Sequence, residues 1–598
     1  MAKISDTKTK PKIKKPLKET PVSASSRLKK FGNRLSRTLA RSSLPEVIFI
    51  STFILGRYYK NSDFSYPSEV ILPIILFAVL LSAIYYIYRF IFRGRAFTAH
   101  LAALPLSYAL YSFQYIYNDN VSKIKAVLPH NLETPFVLSM VLALAMAIIL
   151  GVLAFGLVKL TDRLKLTSSL QLPKILIFVI AFLFISQAYK VSARIWQIRG
   201  ELTYQHKTTM PSRDSIKSVS KPNIYYIVTD RYTNSDELKN VYNYDNSDLT
   251  NFLTTEGFST NTSAYSNYPF TMSSISSTMS MGYHNELGKK FGNDKLQTGF
   301  PYRDILNDPP IAQVLKQNGY TYNQVSSWWD FTRVGIKADN NPTKSFRFNF
   351  LRVHIFMSDL SRDILNKSIL SPLLKKGITY KSTPILSYDR TVNPRQNFEQ
   401  QMTALKDIAD GKNKGPQFTF AHILVPHDPY IFSADGSDPN YSGGRDDYGA
   451  DENVKYTNAV TYLNTRLKDE MAYIRKHDPG AAIVIQADEG SYPKDFRFTL
   501  TPDHFYKPTD LSLPKMQQKF GILASYYMPG LTPQEVSQQI QGSVNPFRFI
   551  LSHYLGYSID QLPNCNFSTG NKFKVFDYIQ VTGKLTGQQN PKICDQYN

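Results

Sequence analysis

The chain has 598 residues, and its 69 Lys and Arg against 47 Asp and Glu give a net charge of +22. A chain of this length is too long for a single domain, and no spacing of its 2 cysteines and 10 histidines is typical of a zinc finger. The charge is unevenly distributed, because segment 1–44 carries 13 Lys and Arg and only 2 acidic residues. The net charge of this segment, 13 − 2 = +11, is half of the net charge of the whole chain.

The basic segment 1–44 is predicted to be a cytoplasmic tail. Residues 3–18 are rich in Lys and Pro, a composition typical of disorder. Residues 26–40 combine basic residues with an apolar helical face, which suits contact with an anionic lipid leaflet. That face consists of Leu28, Phe31, Leu35 and Leu39. We favour a topology signal with lipid contact over nucleic-acid binding, so no nucleic-acid partner is expected.

Region 45–196 is predicted to be a five-helix transmembrane domain. A helix needs about 20 apolar residues to cross a bilayer, and the first and third apolar stretches fit this requirement least well. Basic residues follow the second and fourth stretches, so the positive-inside rule predicts a cytoplasmic N-terminus and an extracytoplasmic second half. The five stretches are Pro45–Tyr59, Val70–Phe92, Phe97–Ile116, Pro135–Leu160 and Leu172–Ile195.

Segment 197–220 is polar and is predicted to be a linker to an extracytoplasmic α/β domain over 221–598. Strand-like and helix-like segments alternate in that domain, which is typical of a doubly wound, mostly parallel sheet. The predicted strands are Asn223–Thr229, Thr321–Ser326, Gln417–Val425 and Ala481–Ala487, and the predicted helices are 247–255, 311–317, 400–409, 460–474 and 544–555. Cys565 and Cys594 form either a disulfide, which an exterior compartment allows, or two free thiols.

Three of the predicted strands run into polar functional groups. Asp230 follows the first strand, His427 follows the third, and Asp488 and Glu489 follow the last. Ligands bind at the carboxyl ends of strands in open α/β sheets, and acidic groups at two such ends can share a divalent metal ion. The predicted carboxylate ligands are Asp230, Asp488 and Glu489.

Thr271 opens a helix-like stretch over 271–281. A hydroxyl at a helix N-terminus beside a metal ion can attack an anionic substrate, because the metal lowers the hydroxyl pKa and backbone N–H groups bind the substrate oxygens. Thr271 is therefore the predicted nucleophile and a fourth metal ligand. His427 is the predicted proton donor or substrate ligand, and Arg333 is the predicted partner of a phosphate.

Other polar and aromatic residues have simpler explanations. His422 lies inside a predicted strand and is expected to be a core or interface histidine. Trp328 and Trp329 are expected to be packing residues, and Asp503 and His504 are expected to lie in a loop.

The order of these motifs resembles the sulfatase-like hydrolase and transferase family of the alkaline phosphatase superfamily. The segments that carry the resemblance include IYYIVTD at 224–230, YPFTMSSISSTMSMGY at 268–283, FAHILVPHDPY at 420–430 and VIQADEG at 484–490. Five spans followed by an outer domain are similar to the arrangement of lipoteichoic acid synthases and lipid A phosphoethanolamine transferases. The resemblance implies an alkaline-phosphatase-like domain with metal ligands at Asp230, Thr271, Asp488 and Glu489. It also implies a nucleophile at Thr271 and a substrate-site histidine at His427.

The chain departs from the family's pattern at two metal positions. Glu489 stands where the family commonly has a histidine, which shifts the expected site toward harder metals. Asp230 stands where the transferases often have Glu. In addition, Thr271 does not lie in the Cys/Ser-x-Pro-x-Arg pattern of true sulfatases, so phosphorus chemistry is expected rather than sulfate chemistry.

These observations predict a membrane-anchored, metal-dependent transferase with Mn²⁺, Zn²⁺ or Mg²⁺ as its cofactor. It would move a phospho-substituent from a membrane lipid donor to an envelope glycan or lipid through phosphorylated Thr271. Two alternatives stay open: a hydrolase of phosphodiesters or sulfate esters on the same scaffold, and a degenerate binding protein. A transporter is disfavoured because the predicted spans carry almost no intramembrane charge pairs.

Overall fold

The computed structural model describes residues 38, 41–126, 133–163, 172–213, 220–333, 335–343, 347–350, 353–380, 383–388, 394–411, 415–441, 451–493, 510–571 and 574–597. The predicted lipid contact of the tail and the Asp503–His504 pair lie outside these residues. The chain divides into two compact units. The first comprises Met1–Phe53, Ile74–Tyr111 and Met140–Ser186, and the second comprises Ile54–Pro73, Ser112–Ser139 and Gln187–Asn598.

In the residues that the structure describes, the N-terminal third consists of helices joined by short turns. Its helices are α1 (Leu44–Lys60), α2 (Ile71–Ile91, after a 3₁₀ turn at Pro67–Val70), α3 (Ala96–Tyr111), α4 (Phe113–Lys125), α5 (Pro135–Arg163) and α6 (Leu172–Leu202). Helix α6 therefore extends into the predicted linker.

Three helical segments in the described part of the chain are long and apolar enough to cross a membrane: Pro67–Ile91, Pro135–Leu160 and Pro173–Leu202. Helices α1 and α3 have 17 and 16 residues, fewer than the roughly 20 that a span needs. The expected third span is broken near Ser112, because α3 ends there and the more polar α4 begins. The apolar helical region is confirmed, while the count of five spans stays a prediction.

One buried acid–histidine pair lies within the first unit. The Nδ1 atom of His100 in α3 lies 2.7 Å from Oε1 of Glu46 in α1, and both side chains are almost fully buried. The ring of Tyr85 stacks on His100 with 4.7 Å between the ring centroids. The scarcity of such pairs was the sequence argument against a transporter, and this contact weakens it.

The second unit is built on a six-stranded sheet. Its strands are β2 (Ile224–Thr229), β3 (Ser259–Asn261), β4 (Thr321–Val325), β9 (Gln417–Ile423), β10 (Ala482–Gln486) and β11 (Ala524–Tyr527), and their order is β3-β11-β10-β2-β9-β4. Strands β10, β2, β9 and β4 are parallel, whereas β11, near one edge, is antiparallel to both of its neighbours, β10 and β3. This arrangement confirms the predicted mostly parallel sheet.

Both faces of the sheet are covered by helices. Alternate residues of β2 enter opposite cores: Tyr225 and Ile227 pack on one side, and Tyr226 and Val228 on the other. A strand that is buried on both faces has a continuous apolar sequence, as this one does.

The helices of the second unit that follow α6 are α7 (Ser235–Tyr242), α8 (Ser247–Thr255), α9 (Thr271–Ser280), α10 (Asn285–Phe291), α11 (Phe300–Asn307), α12 (Pro310–Gln317), α13 (Asp330–Arg333), α14 (Asp359–Asn366), α15 (Leu370–Lys376), α16 (Pro394–Ala409), α17 (Glu452–His477), α18 (Leu513–Phe520), α19 (Pro533–Gln539), α20 (Pro546–Leu555) and α21 (Thr582–Thr586), with a 3₁₀ turn at Lys592–Tyr597.

Smaller sheets surround this core. Strand β1 (Ser212–Arg213), inside the predicted linker, pairs with β12 (Tyr557–Ser558). The others are the four-stranded sheet of β5 (Arg347–Phe350), β6 (Val353–Phe356), β7 (Ile378–Tyr380) and β8 (Thr383–Tyr388), and the pair β13 (Phe567–Asn571) and β14 (Lys574–Gln580). Cys565 and Cys594 form a disulfide, which confirms the first of the two alternatives and is typical of an oxidising compartment.

A buried glutamate between α16 and α17 predicts a pH-dependent stability. Glu470 is 1% exposed, and Nζ of Lys406 lies 3.7 Å from its carboxylate. Burial raises the pKa of Glu470 from 4.5 to about 7. The folded state therefore holds this proton to a higher pH than the unfolded state, and the free energy of unfolding falls as the pH rises from 4.5 to about 7.

Replacing Glu470 with Gln is expected to stabilise the protein at pH 8, because the neutral side chain does not have to be ionised in the core. The gain is up to about 3 kcal/mol and should disappear near pH 4. Thermal melting of the full chain at the two pH values measures it. Glu399→Gln, which removes a half-exposed partner of Arg466, is the control and should change little. A Glu470→Gln protein that melts no higher than wild type at pH 8 would contradict the assignment.

Candidate active site

Three buried polar side chains converge at the carboxyl ends of three adjacent strands. Asp230 follows β2, His422 is the penultimate residue of β9, and Asp488 lies two residues after β10. Because β10, β2 and β9 are neighbouring parallel strands, their carboxyl ends meet at one edge of the sheet. The structure thus brings Asp230 and Asp488 together, with His422 as the third member.

One atom of each side chain has no hydrogen-bond partner among the described residues, although His422 Nε2 lies 3.6 Å from Oδ2 of Asp230. Asp230 Oδ1, His422 Nε2 and Asp488 Oδ2 are buried and have no hydrogen bond among the described residues. One potential ligand atom from each residue lies within 4.8 Å of the other two. Buried polar atoms are normally bonded, and leaving them unbonded costs free energy that a cation would offset. Two carboxylates and an imidazole fit a divalent metal ion.

Burial and hydrogen bonds favour the binding of a cation by Asp230, His422 and Asp488. Burial, followed by the charge of Asp488, raises the pKa of Asp230 well above its ordinary value, so a bound cation would let both carboxylates ionise. Burial lowers the pKa of His422 to about 3, which keeps the imidazole neutral and able to bind a metal. His422 Nδ1 is 2.8 Å from Thr332 Oγ1, and Asp488 Oδ1 accepts the backbone N–H of Arg231 at 3.0 Å. These bonds orient the remaining atoms.

Thr271 is the first residue of α9 and lines a cavity of about 370 Å³. The N–H of Ser274 donates to the carbonyl of Phe270 at 2.9 Å, so the N–H groups of 271–273 precede this bond and have no intrahelical acceptor. Such groups bind anions. Asp230 lines the same cavity, so the predicted nucleophile and a predicted metal ligand face one space.

His427 lines this cavity too. Its side chain is 22% exposed, and Nδ1 lies 3.0 Å from Oδ1 of Asp428. A partly exposed imidazole beside a cavity can reach a bound substrate. The role of His427 in proton transfer or substrate binding stays a prediction.

Glu489 lines the cavity, but its carboxylate is held by two cations. Oε1 accepts a hydrogen bond from Nε of Arg231 at 2.9 Å, and Oε2 accepts one from the ammonium of Lys519 at 2.5 Å. Glu489 is 2% exposed. The described residues whose ligand atoms converge are Asp230, His422 and Asp488. Each oxygen of Glu489 already accepts a charge-assisted bond, so its role as a metal ligand stays a prediction.

Arg333, the predicted phosphate ligand, is buried and is not among the described residues that line the cavity. Its guanidinium pairs with Asp330 and with Asp359, whose carboxylate is 2.8 Å away. Burial lowers the pKa of Arg333 to about 10, which leaves it cationic at neutral pH. Its two carboxylate partners lie outside the described cavity lining, and the role of Arg333 in phosphate binding stays a prediction.

Sequence reasoning missed four residues of the site. His422 was assigned to the core, yet the register that pairs it with Val228 places it beside the end of β2. Arg231 was overlooked, although it directly follows Asp230. Trp328 and Trp329, expected to pack, are partly exposed and line the cavity. Proximity to a strand end was the signal available for His422 and Arg231.

Part of the cavity wall comes from the segment between α1 and α2. Asp63 and Phe64 line the cavity. The N–H of Gly299 donates to the Asp63 carbonyl at 3.0 Å, and Arg303 donates to the Phe64 carbonyl at 2.7 Å. These contacts lie within the second unit, so a segment far from the sheet in sequence completes the site.

No family model and no curated protein matches the chain. Similar solved structures include the C-terminal periplasmic domain of EcEptC from Escherichia coli, at 12% identity and a TM-score of 0.38, covering 64% of this chain and 100% of that chain. That domain has also been crystallised in complex with Zn. BT1596, a 2-O GAG sulfatase, matches at 13% identity and a TM-score of 0.33, covering 62% and 76% of the two chains.

A protein of the alkaline phosphatase superfamily from Vibrio parahaemolyticus matches at 12% identity and a TM-score of 0.32, covering 63% of this chain and 81% of that chain. The structural neighbours thus include an EptC periplasmic domain, a 2-O GAG sulfatase and a protein of the alkaline phosphatase superfamily. At these TM-scores the activity has to be derived from this chain's own residues.

Proposed function

We propose that this protein is a membrane-anchored, metal-dependent transferase that moves a phospho-substituent from a lipid donor to an envelope glycan or lipid. One observation carries the proposal: buried ligand atoms of Asp230, His422 and Asp488 converge, and none of the three makes a hydrogen bond to a described residue. Thr271 lines the cavity at this site. Buried acceptors that a cation can satisfy, next to a helix-terminal hydroxyl, are the parts of a nucleophilic phosphoryl-transfer site.

In this proposal Asp230, His422 and Asp488 hold a divalent ion, whose charge would stabilise the Thr271 alkoxide and the phosphate oxygens. Oγ of Thr271 forms a bond to phosphorus as the bond to the donor's leaving oxygen breaks. His427 supplies the proton that this oxygen needs. The N–H groups at the start of α9 bind the non-bridging oxygens. A hydroxyl of the acceptor then attacks phosphorus and passes its proton to His427, the bond between phosphorus and Thr271 Oγ1 breaks, and Thr271 is released as the alkoxide.

Attachment to the membrane follows from the long apolar helices. The segments Pro67–Ile91, Pro135–Leu160 and Pro173–Leu202 can each span a bilayer. The five crossings predicted from the sequence put the basic tail and the second unit on opposite sides, with Asp63 and Phe64 on the same side as the cavity that they line. With the tail cytoplasmic by the positive-inside rule, the active site would be extracytoplasmic at the plasma or inner membrane. The Cys565–Cys594 disulfide supports that side.

A chromogenic phosphodiester tests the proposed chemistry. The full chain in detergent, loaded with Mn²⁺ or Zn²⁺, is incubated with bis(p-nitrophenyl) phosphate. We expect release of p-nitrophenolate and a nitrophenyl-phosphate adduct on Thr271, detected by peptide mass spectrometry, and slower reaction with p-nitrophenyl sulfate. Absence of both turnover and adduct would favour the binding-protein alternative, and faster sulfate release would favour a sulfatase.

Transfer and hydrolysis differ in the molecule that takes the phospho-substituent from Thr271, which is an alcohol in transfer and water in hydrolysis. Adding an alcohol such as glycerol to the same assay should divert the adduct to a phosphodiester of that alcohol. If inorganic or monoester products form at an unchanged rate and no glycerol ester appears, water is the acceptor and the hydrolase alternative holds.

Phe64 is expected to contribute to substrate binding, because it lines the cavity and its side chain is 46% exposed. Phe64→Ala should raise KM for bis(p-nitrophenyl) phosphate about tenfold, since about 1.5 kcal/mol of apolar contact is lost. The rate constant kcat should change little. Steady-state kinetics measure both, with Ile336→Ala, at an exposed position outside the cavity lining, as the control. An unchanged KM would show that substrate does not contact this segment.

A further inference from the structure

We infer that Arg231 binds the anionic group of the substrate, and that Glu489 positions Arg231 and Lys519 instead of binding the metal. The inference rests on the proposed function and assigns the phosphate-binding cation of that site. It gives Arg231 the role that the sequence assigned to Arg333. It also gives Glu489 a role compatible with its departure from the family's histidine.

The backbone places Arg231 between the metal site and the cavity. Its φ is +59°, a left-handed conformation that residues other than glycine rarely adopt. In this conformation its N–H donates to Oδ1 of Asp488 at 3.0 Å, while the residue lines the cavity. One residue thus orients a metal ligand through its main chain and brings a guanidinium to the adjoining cavity.

Three neighbouring side chains orient the Arg231 guanidinium, and some of its N–H donors stay available to a ligand. Nε donates to Glu489 at 2.9 Å, the guanidinium lies 4.0 Å from the ring centroid of Tyr492, and Nη1 is 3.6 Å from the carboxylate of Asp428. The last distance exceeds that of a hydrogen bond. Among the described residues, no acceptor is within hydrogen-bond distance of Nη1 or Nη2. A guanidinium bonded at Nε, with Nη groups that make no hydrogen bond to a described residue, can bind a phosphate in bidentate geometry.

The buried ammonium of Lys519 favours a Glu489 that pairs with Lys519 and Arg231 over a Glu489 that binds a metal ion. Its ammonium is fully buried, lies 2.5 Å from Oε2 of Glu489 and stands 3.9 Å from the centroid of the Tyr492 ring. A buried ammonium requires an anionic partner. If Glu489 turned to a metal, it would leave both Lys519 and Arg231 with weakened partners. A metal ion bound through the unbonded atoms of Asp230, His422 and Asp488 would leave the ion pairs of Glu489 intact.

Two separate readouts on the full chain in detergent test this inference. Metal content after Mn²⁺ loading is measured by elemental mass spectrometry, and binding of inorganic phosphate is measured by calorimetry. Arg231→Gln should keep the wild-type metal content and weaken phosphate binding about tenfold or more. Glu489→Gln should also keep the metal and weaken phosphate binding, because Arg231 loses its support. Arg231→Lys should fall between wild type and Arg231→Gln.

The chain offers a matched control in Arg466. Its side chain is 19% exposed, pairs with Glu399 at 2.7 Å and lies over the ring of Tyr462, much as Arg231 pairs with Glu489 over Tyr492. Arg466→Gln and Glu399→Gln should change neither readout. Melting temperatures identify any variant that fails to fold, and Arg231→Lys then carries the test.

The outcomes separate this inference from the proposed function. Loss of metal in folded Glu489→Gln would make Glu489 a ligand and overturn the inference. Phosphate affinity within twofold of wild type in Arg231→Gln would overturn it as well. If wild type binds no metal, the proposed function fails, whereas the phosphate affinities measured without metal still decide the role of Arg231.

Discussion

Replacing Thr271 with alanine is expected to lower kcat for a phosphodiester by roughly 10⁴-fold or more, as removal of a nucleophile does in other enzymes. The effect should be this large because the hydroxyl forms the covalent bond to phosphorus. The fold should be retained, since Thr271 lies at the rim of the cavity and at the first position of α9, and alanine is a good helix former.

Thr271→Ser is the matched control for this prediction, because it keeps the hydroxyl and removes only a methyl group. It should retain measurable turnover and form a phosphoserine adduct. Circular dichroism and the Mn²⁺ content of Thr271→Ala at saturating metal should equal those of wild type. More than about a tenth of wild-type kcat in the alanine variant would rule out Thr271 as the nucleophile.

The second large effect is expected at His422, whose Nε2 is one of the three buried atoms without a partner. His422→Leu should weaken Mn²⁺ and Zn²⁺ binding by about 100-fold or more, because a ligand is lost outright and even loss of a supporting residue costs 10- to 100-fold. The folded state should tolerate the change, since the side chain is fully buried and uncharged. Titration of the metal-free protein measures the affinity.

His477→Leu is the control for this titration. His477 also faces an aspartate, with Nδ1 2.8 Å from Asp410, but it is partly exposed on α17. Its loss should leave metal affinity unchanged. An affinity of His422→Leu within threefold of wild type would return His422 to the role of a core histidine.

The sheet could be predicted because strands buried on both faces are read directly from apolar runs. Ile224–Thr229 is buried at every position, and no polar residue interrupts it in sequence. The carboxyl ends of such strands meet in any parallel sheet. Asp230 and Asp488 could therefore be assigned to one site without knowledge of the contacts between them.

The remaining site residues depend on contacts that sequence spacing does not encode. Glu489 meets Arg231 and Lys519, which are 258 and 30 residues away along the chain. Arg333 meets Asp359, and an isolated arginine gives no sign of such a partner. The position of His422 required the register between β2 and β9, and one-residue errors in register reverse the face of every side chain.

In the membrane region, too, some features could be predicted from the sequence and others could not. Hydropathy located the apolar segments, because a span is a property of composition over about 20 residues. It did not detect the break at Ser112 between α3 and α4, since Tyr and Ser there are tolerated both in a helix and at its end. Nor did it reveal the contact between Glu46 and His100, which joins two segments 54 residues apart.

Anomalous diffraction from crystals of the Mn²⁺-loaded full chain would locate the metal ion rather than only count it. We predict one peak about 2.0–2.3 Å from Asp230 Oδ1, His422 Nε2 and Asp488 Oδ2, with Glu489 still bonded to Arg231 and Lys519. Absence of a peak at these atoms, or a peak bound through Glu489, would contradict the account.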